Sequence, residues 1–162
     1  MDGTSDLDIS QITDYLYMGA QPRAEHAGEL RARDVRLIIS MIGTARPAAV
    51  FGEPPFRLLW LRTYDSFLTP IPVTRLMEGV RAALPVIRSG GCVLTYCAQG
   101  RHRSAAMAAA ILIAMNHSAE EAMRLLRARR RIARPQTWYV KRQIKKFEKH
   151  WQQAHPTTDP GR

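Results

Sequence analysis

The order of strand-like and helix-like segments predicts an α/β fold: a central, mostly parallel sheet with helices on both faces. Three observations carry this. Val35 to Ile42 ("VRLIISMI"), Phe56 to Arg62 ("FRLLWLR") and Gly90 to Tyr96 ("GGCVLTY") are short apolar runs of strand length. Helical spacing occupies the chain between and after them. Ala105 to Met115 is an unbroken apolar run of eleven residues, which at helical length means a helix buried on every side. It falls well short of the ~20 residues that cross a bilayer.

The elements follow in order. "ITDYLYMG" (Ile12 to Gly19) reads as a short strand or hairpin piece ending at glycine. "RAEHAGELRAR" (Arg23 to Arg33) follows Pro22 and reads as a helix with Ala27 and Leu30 inward. The run Val35 to Ile42 lies between Asp34 and Gly43 and is β-branched enough for a buried strand. Gly43 to Pro55 holds three prolines and two glycines and is a loop. After the strand Phe56 to Arg62, Thr63 to Pro72 is an irregular connection. Val73, Leu76, Val80, Leu84 and Ile87 share one face of a helix over 73–88, which Pro85 should kink or shorten. Gly90 to Tyr96 is the third core strand, and Ala105 to Met115 the buried helix. Ser118-x-x-Glu121 is a capping box that opens a helix to about Arg130. Val140, Ile144, Phe147 and Trp151 stripe a last helix, with Lys141, Lys145, Lys146 and Lys149 off the stripe. Residues 1–153 are read as one domain and 154–162 as a disordered tail.

Composition narrows the function. The N-terminal "MDGTSDLD" is acidic and polar, unlike a secretory signal. Two cysteines in 162 residues argue against a disulfide framework and for a reducing, cytoplasmic setting. The net charge is +10, and residues 1–96 contribute none of it: ten Lys/Arg there cancel ten Asp/Glu. Residues 97–162 carry fourteen Lys/Arg against four Asp/Glu. Such asymmetry suits an anionic substrate or partner. Charge alone does not choose between phosphoprotein, nucleic acid and lipid head group, and a solvated basic face has the same composition.

The chemistry concentrates in "YCAQGRHRS", Tyr96 to Ser104, where the third strand meets the buried helix. A loop there exposes the helix's first unpaired N–H groups, and with the helix dipole they form an anion site. Gly100 lets the backbone curl so that several N–H groups converge. Arg103 adds a planar fork that fits two oxygens of a phosphate. Cys97 opens the loop, and the same donors should hold its thiolate well below the free value of ~8.5. One positive field thus ionises a nucleophile and binds the dianion it attacks.

The spacing Cys97, Gly100, Arg103, Ser104 resembles the signature loop of the protein tyrosine phosphatase superfamily, Cys-x-x-Gly-x-x-Arg-Ser/Thr. The resemblance covers roughly residues 9 to 150 and is nearest to the dual-specificity phosphatases: "ITDYLYMG", "VRLIISM" and "RRIARPQTWY" are similar to their opening segment, second core strand and Arg-rich segment before the last helix. The chain is short, and no segment resembles the tyrosine-recognition loop of the larger tyrosine-specific enzymes. The resemblance implies a phosphatase-like α/β fold of dual-specificity type and no cofactor. Cys97 is the expected nucleophile. Ala98, Gln99, Gly100, Arg101, His102 and Arg103 are expected to bind the phosphate, sulfate or vanadate oxygens. Ser104 resembles the family hydroxyl that receives the departing thiolate; a serine there also suits a purely local helix-start bond.

The leaving oxygen needs a proton, so a carboxylic acid must face the loop. Asp65 follows a core strand 32 residues before Cys97, at the position of the family's general-acid loop. Glu53 and Asp34 are weaker candidates, and a turn-capping aspartate is the plain alternative for Asp65. The implied reaction runs through a cysteinyl-phosphate, on phosphotyrosine and on phosphoserine or phosphothreonine of proteins. No metal is implied, and five scattered histidines have no ligand spacing.

Two departures bear on the substrate. The family usually places His before the cysteine, where this chain has Tyr96, either a replacement hydrogen-bonder or a core aromatic. Arg101 and His102 make the loop unusually positive, which resembles members acting on inositol phospholipids or RNA 5′ ends; both side chains pointing to solvent is the simpler reading. Trp138 and Tyr139 suit base stacking less well than helix packing, so nucleic acid is not the favoured partner. Cys92 and Cys97 on one strand would lie ~16 Å apart, beyond the ~7 Å of a disulfide, so Cys92 is expected to be structural. A monomer without a membrane span is expected. The competing classes are a phosphate-binding scaffold without turnover and a rhodanese-type sulfur-transfer domain, which lacks an acid at the position of Asp65.

Overall fold

The computed structural model describes residues 6–156. Its elements run β1 (Ile9–Thr13), β2 (Leu16–Ala20), α1 (Ala27–Ala32), β3 (Val35–Ile42), β4 (Arg57–Thr63), α2 (Val73–Arg88), β5 (Cys92–Cys97), α3 (Arg103–Ala114), α4 (Ala119–Arg129) and α5 (Trp138–Ala154). Short 3-10 turns precede α1 (Ala24–His26) and interrupt the loop before β4 (Ala49–Gly52). The five strands lie in the order β1-β2-β5-β3-β4. β2, β5, β3 and β4 are parallel, and β1 pairs antiparallel with β2. The predicted mostly parallel sheet is therefore present, with an added N-terminal hairpin at one edge.

Both faces are covered, which explains why β3 and β5 read as continuous apolar runs. Leu37, Ile39 and Met41 of β3 and Val93 of β5 pack into one core with α2 through α5. The alternate residues Ile38, Ile42 and Leu94 pack into a second core with Leu30 of α1, Phe51 and Phe56. All residues of α3 from Ser104 to Ile113 are buried. This helix is the centre of the larger core, between the sheet and α2, α4 and α5.

Two expectations need correction. α2 continues past Pro85 to Arg88 and is not shortened by it. Pro85 lies exposed in the last turn, so the carbonyl deprived of its N–H partner reaches water. The buried face of α2 is also turned: Leu76, Met77, Gly79, Val80, Ala83 and Val86 are inside, with Val73, Leu84 and Ile87 at its flank. Gly79 explains the turn, because a Cβ there would lie 2.4 Å from Met107 Sδ of α3. The close approach of two helices selects the small residues, not the large ones. Ser118 caps α4 as expected, its Oγ accepting from the Glu121 N–H at 3.1 Å. The expected tail from residue 154 falls mainly on 157–162, outside the described residues, and α5 runs to Ala154.

Topology brings the carboxyl ends of β3, β4 and β5 to one edge, where ligands bind in open α/β sheets. The Cys97 loop leaves β5 there, and the Asp65 loop leaves β4. The loop also needs room beside β2. Gly19 supplies it: a Cβ at Gly19 would sit 2.2 Å from Asp8 O, and a Cβ at Gly100 would sit 2.5 Å from Gly19 C. These neighbours are backbone and cannot swing aside. Gly19→Ala is expected to destabilise the fold by about 2 kcal/mol, lowering Tm by about 4–8 °C for a chain of this size; calorimetry reads this directly.

Candidate active site

The loop from Ala98 to His102 reverses the chain between β5 and α3. Gly100 sits at φ +66°, the left-handed region that costs a residue with Cβ about 1–2 kcal/mol. The turn directs carbonyls outward, and each has a donor. Buried Arg130 donates from Nε to Gly100 O at 2.9 Å and from Nη2 to Gln99 O at 3.1 Å. The Arg134 N–H donates to Arg101 O at 2.8 Å, and the Ala106 N–H to His102 O at 3.0 Å. Arg130 is held in turn by Asp8, through Nη1 at 2.9 Å and Nη2 at 3.1 Å.

With the carbonyls outside, N–H groups face inward onto Cys97. Burial pushes this thiol up. The Ser104 hydroxyl and the N–H groups of Ser104, Arg101 and Gly100 outweigh burial, and the net shift is down. Ser104 Oγ lies 3.2 Å from the sulfur. Cys92, by contrast, lies at the other end of β5, donates to Asp14 O at 3.3 Å, and is pushed up by burial. Both cysteines are free, as expected of a structural Cys92.

Arg103 begins α3 and reaches under the strand ends. Its Nη1 donates to Met41 O at 3.0 Å and Thr63 O at 2.9 Å, the carbonyls closing β3 and β4. Its Nε is buried without a protein acceptor. The guanidinium is therefore fixed from one side, and its remaining donors belong to a cavity of about 220 Å³ lined by Asp65, Cys97, Ala98, Gln99, Arg101, His102 and Arg103. All the expected site residues except Gly100 and Ser104 line this cavity. Those two lie behind it and shape it. Glu53 and Asp34 do not line it.

Asp65 faces the loop from the β4 side. His102 Nδ1 lies 3.0 Å from its Oδ2, and the Tyr139 hydroxyl donates to its Oδ1 at 2.9 Å. Partial burial raises the carboxyl; the bonds from His102 and Tyr139 and the nearby charges of His102 and Arg103 prevail and lower it. Tyr139 is pushed up to about 12 by burial and by the Asp65 carboxylate, so it remains a donor. His102 thus turns toward the acid and not simply to solvent. Tyr139 packs against the core, as expected, and in addition its hydroxyl bonds Asp65 from α5.

Tyr96 takes the other face of the sheet. It is 1% exposed in the core with Leu94 and Ile38, and burial raises its phenol while a bond with Ser40 opposes this. It is a core aromatic. One cluster has the composition of a metal site: Asp6, Glu25 and His26 bring ligand atoms within 4.8 Å of one another. The Arg23 guanidinium already bonds both Asp6 and Glu25, and the neighbouring cation and His26 hold Asp6 at about 2. The cluster is an ion-pair network far from the cysteine loop in sequence.

A strand-borne cysteine, an amide-lined loop and a helix-capping arginine on this sheet define a cysteine-based phosphatase fold. Solved structures agree. A mouse dual specificity phosphatase complexed with zinc tungstate superposes with TM-score 0.83 at 22% identity, covering 95% of this chain and 94% of its own. PTPMT1 in complex with PI(5)P gives 0.77 at 28% identity, covering 90% and 97%. Human tyrosine phosphatase-like serine/threonine/tyrosine-interacting protein gives 0.75 at 20% identity, covering 89% and 97%. No protein-family profile and no curated protein matches the sequence. The chain has the fold of the cysteine-based dual-specificity phosphatases.

The opposite shifts of the two thiols are testable. Iodoacetate at neutral pH is expected to alkylate Cys97 at least about tenfold faster than Cys92, because the Cys97 sulfur accepts hydrogen bonds that favour its thiolate, whereas burial disfavours the thiolate of Cys92. Peptide mapping over time separates the two sites, and equal rates would show that the loop does not stabilise the thiolate.

Proposed function

We propose that the protein hydrolyses phosphomonoesters through a cysteinyl-phosphate, acting on phosphotyrosine and on phosphoserine or phosphothreonine of proteins. One observation carries the reading: Cys97, held by three loop N–H groups and Ser104, shares an open cavity with Arg103 and an oriented carboxyl.

In the first step the Cys97 thiolate attacks phosphorus. An S–P bond forms, the P–O bond breaks, and Asp65 gives its proton to the leaving oxygen. Arg103 and the loop N–H groups hold the equatorial oxygens, the positioning and charge stabilisation on which phosphoryl transfer depends. In the second step water attacks phosphorus and Asp65 takes its proton. The S–P bond breaks, the Ser104 hydroxyl receives the sulfur, and phosphate leaves.

The lowered carboxyl of Asp65 has a consequence for this cycle. In the free protein it is ionised at neutral pH. A phosphate dianion in the same cavity adds negative charge beside it, which favours the protonated form. Substrate binding thus helps load the acid.

A second reading is supported by a specific comparison. PTPMT1 has been solved with PI(5)P, and it is 28% identical to this chain. Arg101 and His102 give the loop the positive charge that a polyanionic headgroup would match. A substrate panel of phosphotyrosyl and phosphothreonyl peptides, an inositol phospholipid and an RNA 5′ triphosphate ranks the two.

The hydrolase reading is tested on p-nitrophenyl phosphate and phenyl phosphate. Cys97→Ser should abolish turnover of both. Asp65→Asn should slow phenyl phosphate by about 100-fold, slow the better leaving group far less, and leave inhibition by inorganic phosphate unchanged. Activity that survives Cys97→Ser, or equal effects of Asp65→Asn on binding and turnover, would overturn the scheme.

Tyr139→Phe removes one donor from Asp65, so its carboxyl should hold a proton to higher pH. The alkaline limb of kcat/KM for phenyl phosphate should move upward in pH while the maximum falls through looser positioning. A pH–rate profile that keeps its limb would exclude Tyr139 from tuning the acid.

A further inference from the structure

Five large apolar side chains stand exposed among the described residues: Tyr64, Phe67, Leu68, Ile132 and Trp138. They are not scattered. Tyr64, Phe67 and Leu68 are within three residues of Asp65 in the chain. Trp138 precedes Tyr139, whose hydroxyl donates to Asp65, and its ring lies 5.9 Å from that of Phe67. Ile132 belongs to the segment whose Arg134 N–H donates to Arg101 O of the cysteine loop. Phe67 and Trp138, in ring contact, thus form an apolar rim beside the Asp65 loop, with Tyr64 and Leu68 next to it in the chain. Leu68 at 76%, Trp138 at 62% and Phe67 at 58% exposure are large departures for a surface in water.

A groove of about 410 Å³ continues from this rim. Its apolar lining comes from Phe67, Pro70, Ile71 and Trp138, and Tyr139 stands between it and the catalytic cavity. Two cations, Arg142 and Lys146 of α5, border it. Both are exposed, and neither is in an ion pair among the described residues. Arg101 of the cysteine loop and Arg134, whose N–H bonds it, are further exposed cations. The groove is thus bordered by cations from residues 97–162, the part of the chain that carries the entire +10.

Apolar side chains projecting from a cationic surface, with a tryptophan among them, match the interface of an anionic bilayer: rings and aliphatic chains enter the acyl boundary while arginine and lysine meet phosphate headgroups. Leu68 and Ile132 do not line the groove, so a peptide side chain seated there would leave both exposed. We propose that this rim docks on an anionic membrane surface and presents the catalytic cavity to phosphomonoesters held at that surface. The proposal rests on the hydrolase reading above for its use, but not for its test.

The test is co-sedimentation of the full chain with phosphatidylcholine vesicles, with and without about one-third phosphatidylglycerol. Vesicles with the anionic lipid should bind at least about tenfold more tightly, and added salt should weaken binding. Two variants that change different forces keep the result readable: Phe67→Ser with Leu68→Ser, and Arg142→Glu with Lys146→Glu. Each pair should weaken vesicle binding at least about fivefold while turnover of p-nitrophenyl phosphate is unchanged. No association at low salt, or association equal in wild type and both variants, overturns the proposal. So does a rise in KM for a phosphopeptide in these variants without vesicle binding, which would make the rim a protein-docking surface. Vesicle binding by a chain that fails to turn over p-nitrophenyl phosphate would uphold the docking surface and defeat the hydrolase reading alone.

Discussion

The site depends on one constraint of the peptide unit. A loop cannot turn its N–H groups toward a ligand without turning carbonyls the other way, and buried carbonyls need donors. Here the outward carbonyls of Gln99, Gly100, Arg101 and His102 are all satisfied, two of them by the buried Arg130. Leaving them unpaired would cost about 1–3 kcal/mol each, enough to refold the loop. The charge of Arg130 is compensated by Asp8 from the segment before β1. The N-terminal hairpin and the end of α4 are thus part of the anion cradle although neither touches the cavity. Gly19 and Gly100 complete this arrangement by letting two backbones meet.

Arg103 is set by the same economy of backbone groups. The carbonyls of Met41 and Thr63 lie where two parallel strands end; each already accepts once, from Thr63 Oγ1 at 2.6 Å and from the Gly43 N–H at 2.9 Å, and a single guanidinium nitrogen bonds both again. One donor of this fixed group, Nε, remains buried and without a protein acceptor, and Arg103 lines the cavity. Arg62, next to Thr63, adopts φ +45°, unusual for a side chain of its kind. It turns the chain at the end of β4 and sends Asp65 back over the loop. Sheet edge, arginine and acid are therefore coupled through two residues of backbone.

How legible this was in the sequence follows from distance along the chain. Cys97, Gly100, Arg103 and Ser104 fall within eight residues and announce themselves by spacing, as do the strands by their apolar runs. Asp65 could be located because it follows a strand that ends at the same edge as β5. Tyr139 and Arg130 could not. Tyr139 meets Asp65 across 74 positions and Arg130 meets Asp8 across 122. No periodicity predicts such a meeting; on α5 Tyr139 simply follows a tryptophan, and Arg130 is one arginine among several. Tyr96 misled for a different reason. Its place beside the nucleophile suggests a role in the loop, yet alternation along β5 sends it to the opposite face of the sheet. On α2 the large residues alone do not mark the packing face: Gly79 and Ala83 are buried there too, and Gly79 is where the helix meets Met107 of α3.

The electrostatics of the cavity point in one direction. Cys97 and Asp65 are both lowered, and Tyr139 is raised. The two lowered groups are held by hydrogen bonds that prefer an anion on sulfur or carboxyl, while Tyr139 is raised first by burial and then by its bond to Asp65; the resting site therefore holds two negative groups against Arg103 and the loop dipoles. A phosphate dianion brings further negative charge into about 220 Å³. The thiolate cannot yield without losing its three N–H donors, and Arg103 cannot move. The carboxyl is the group with freedom to respond, because it is part-exposed. In the proposed cycle, accommodation of the substrate's charge and protonation of Asp65 are therefore the same event, and the acid is loaded only when there is a leaving group to receive its proton.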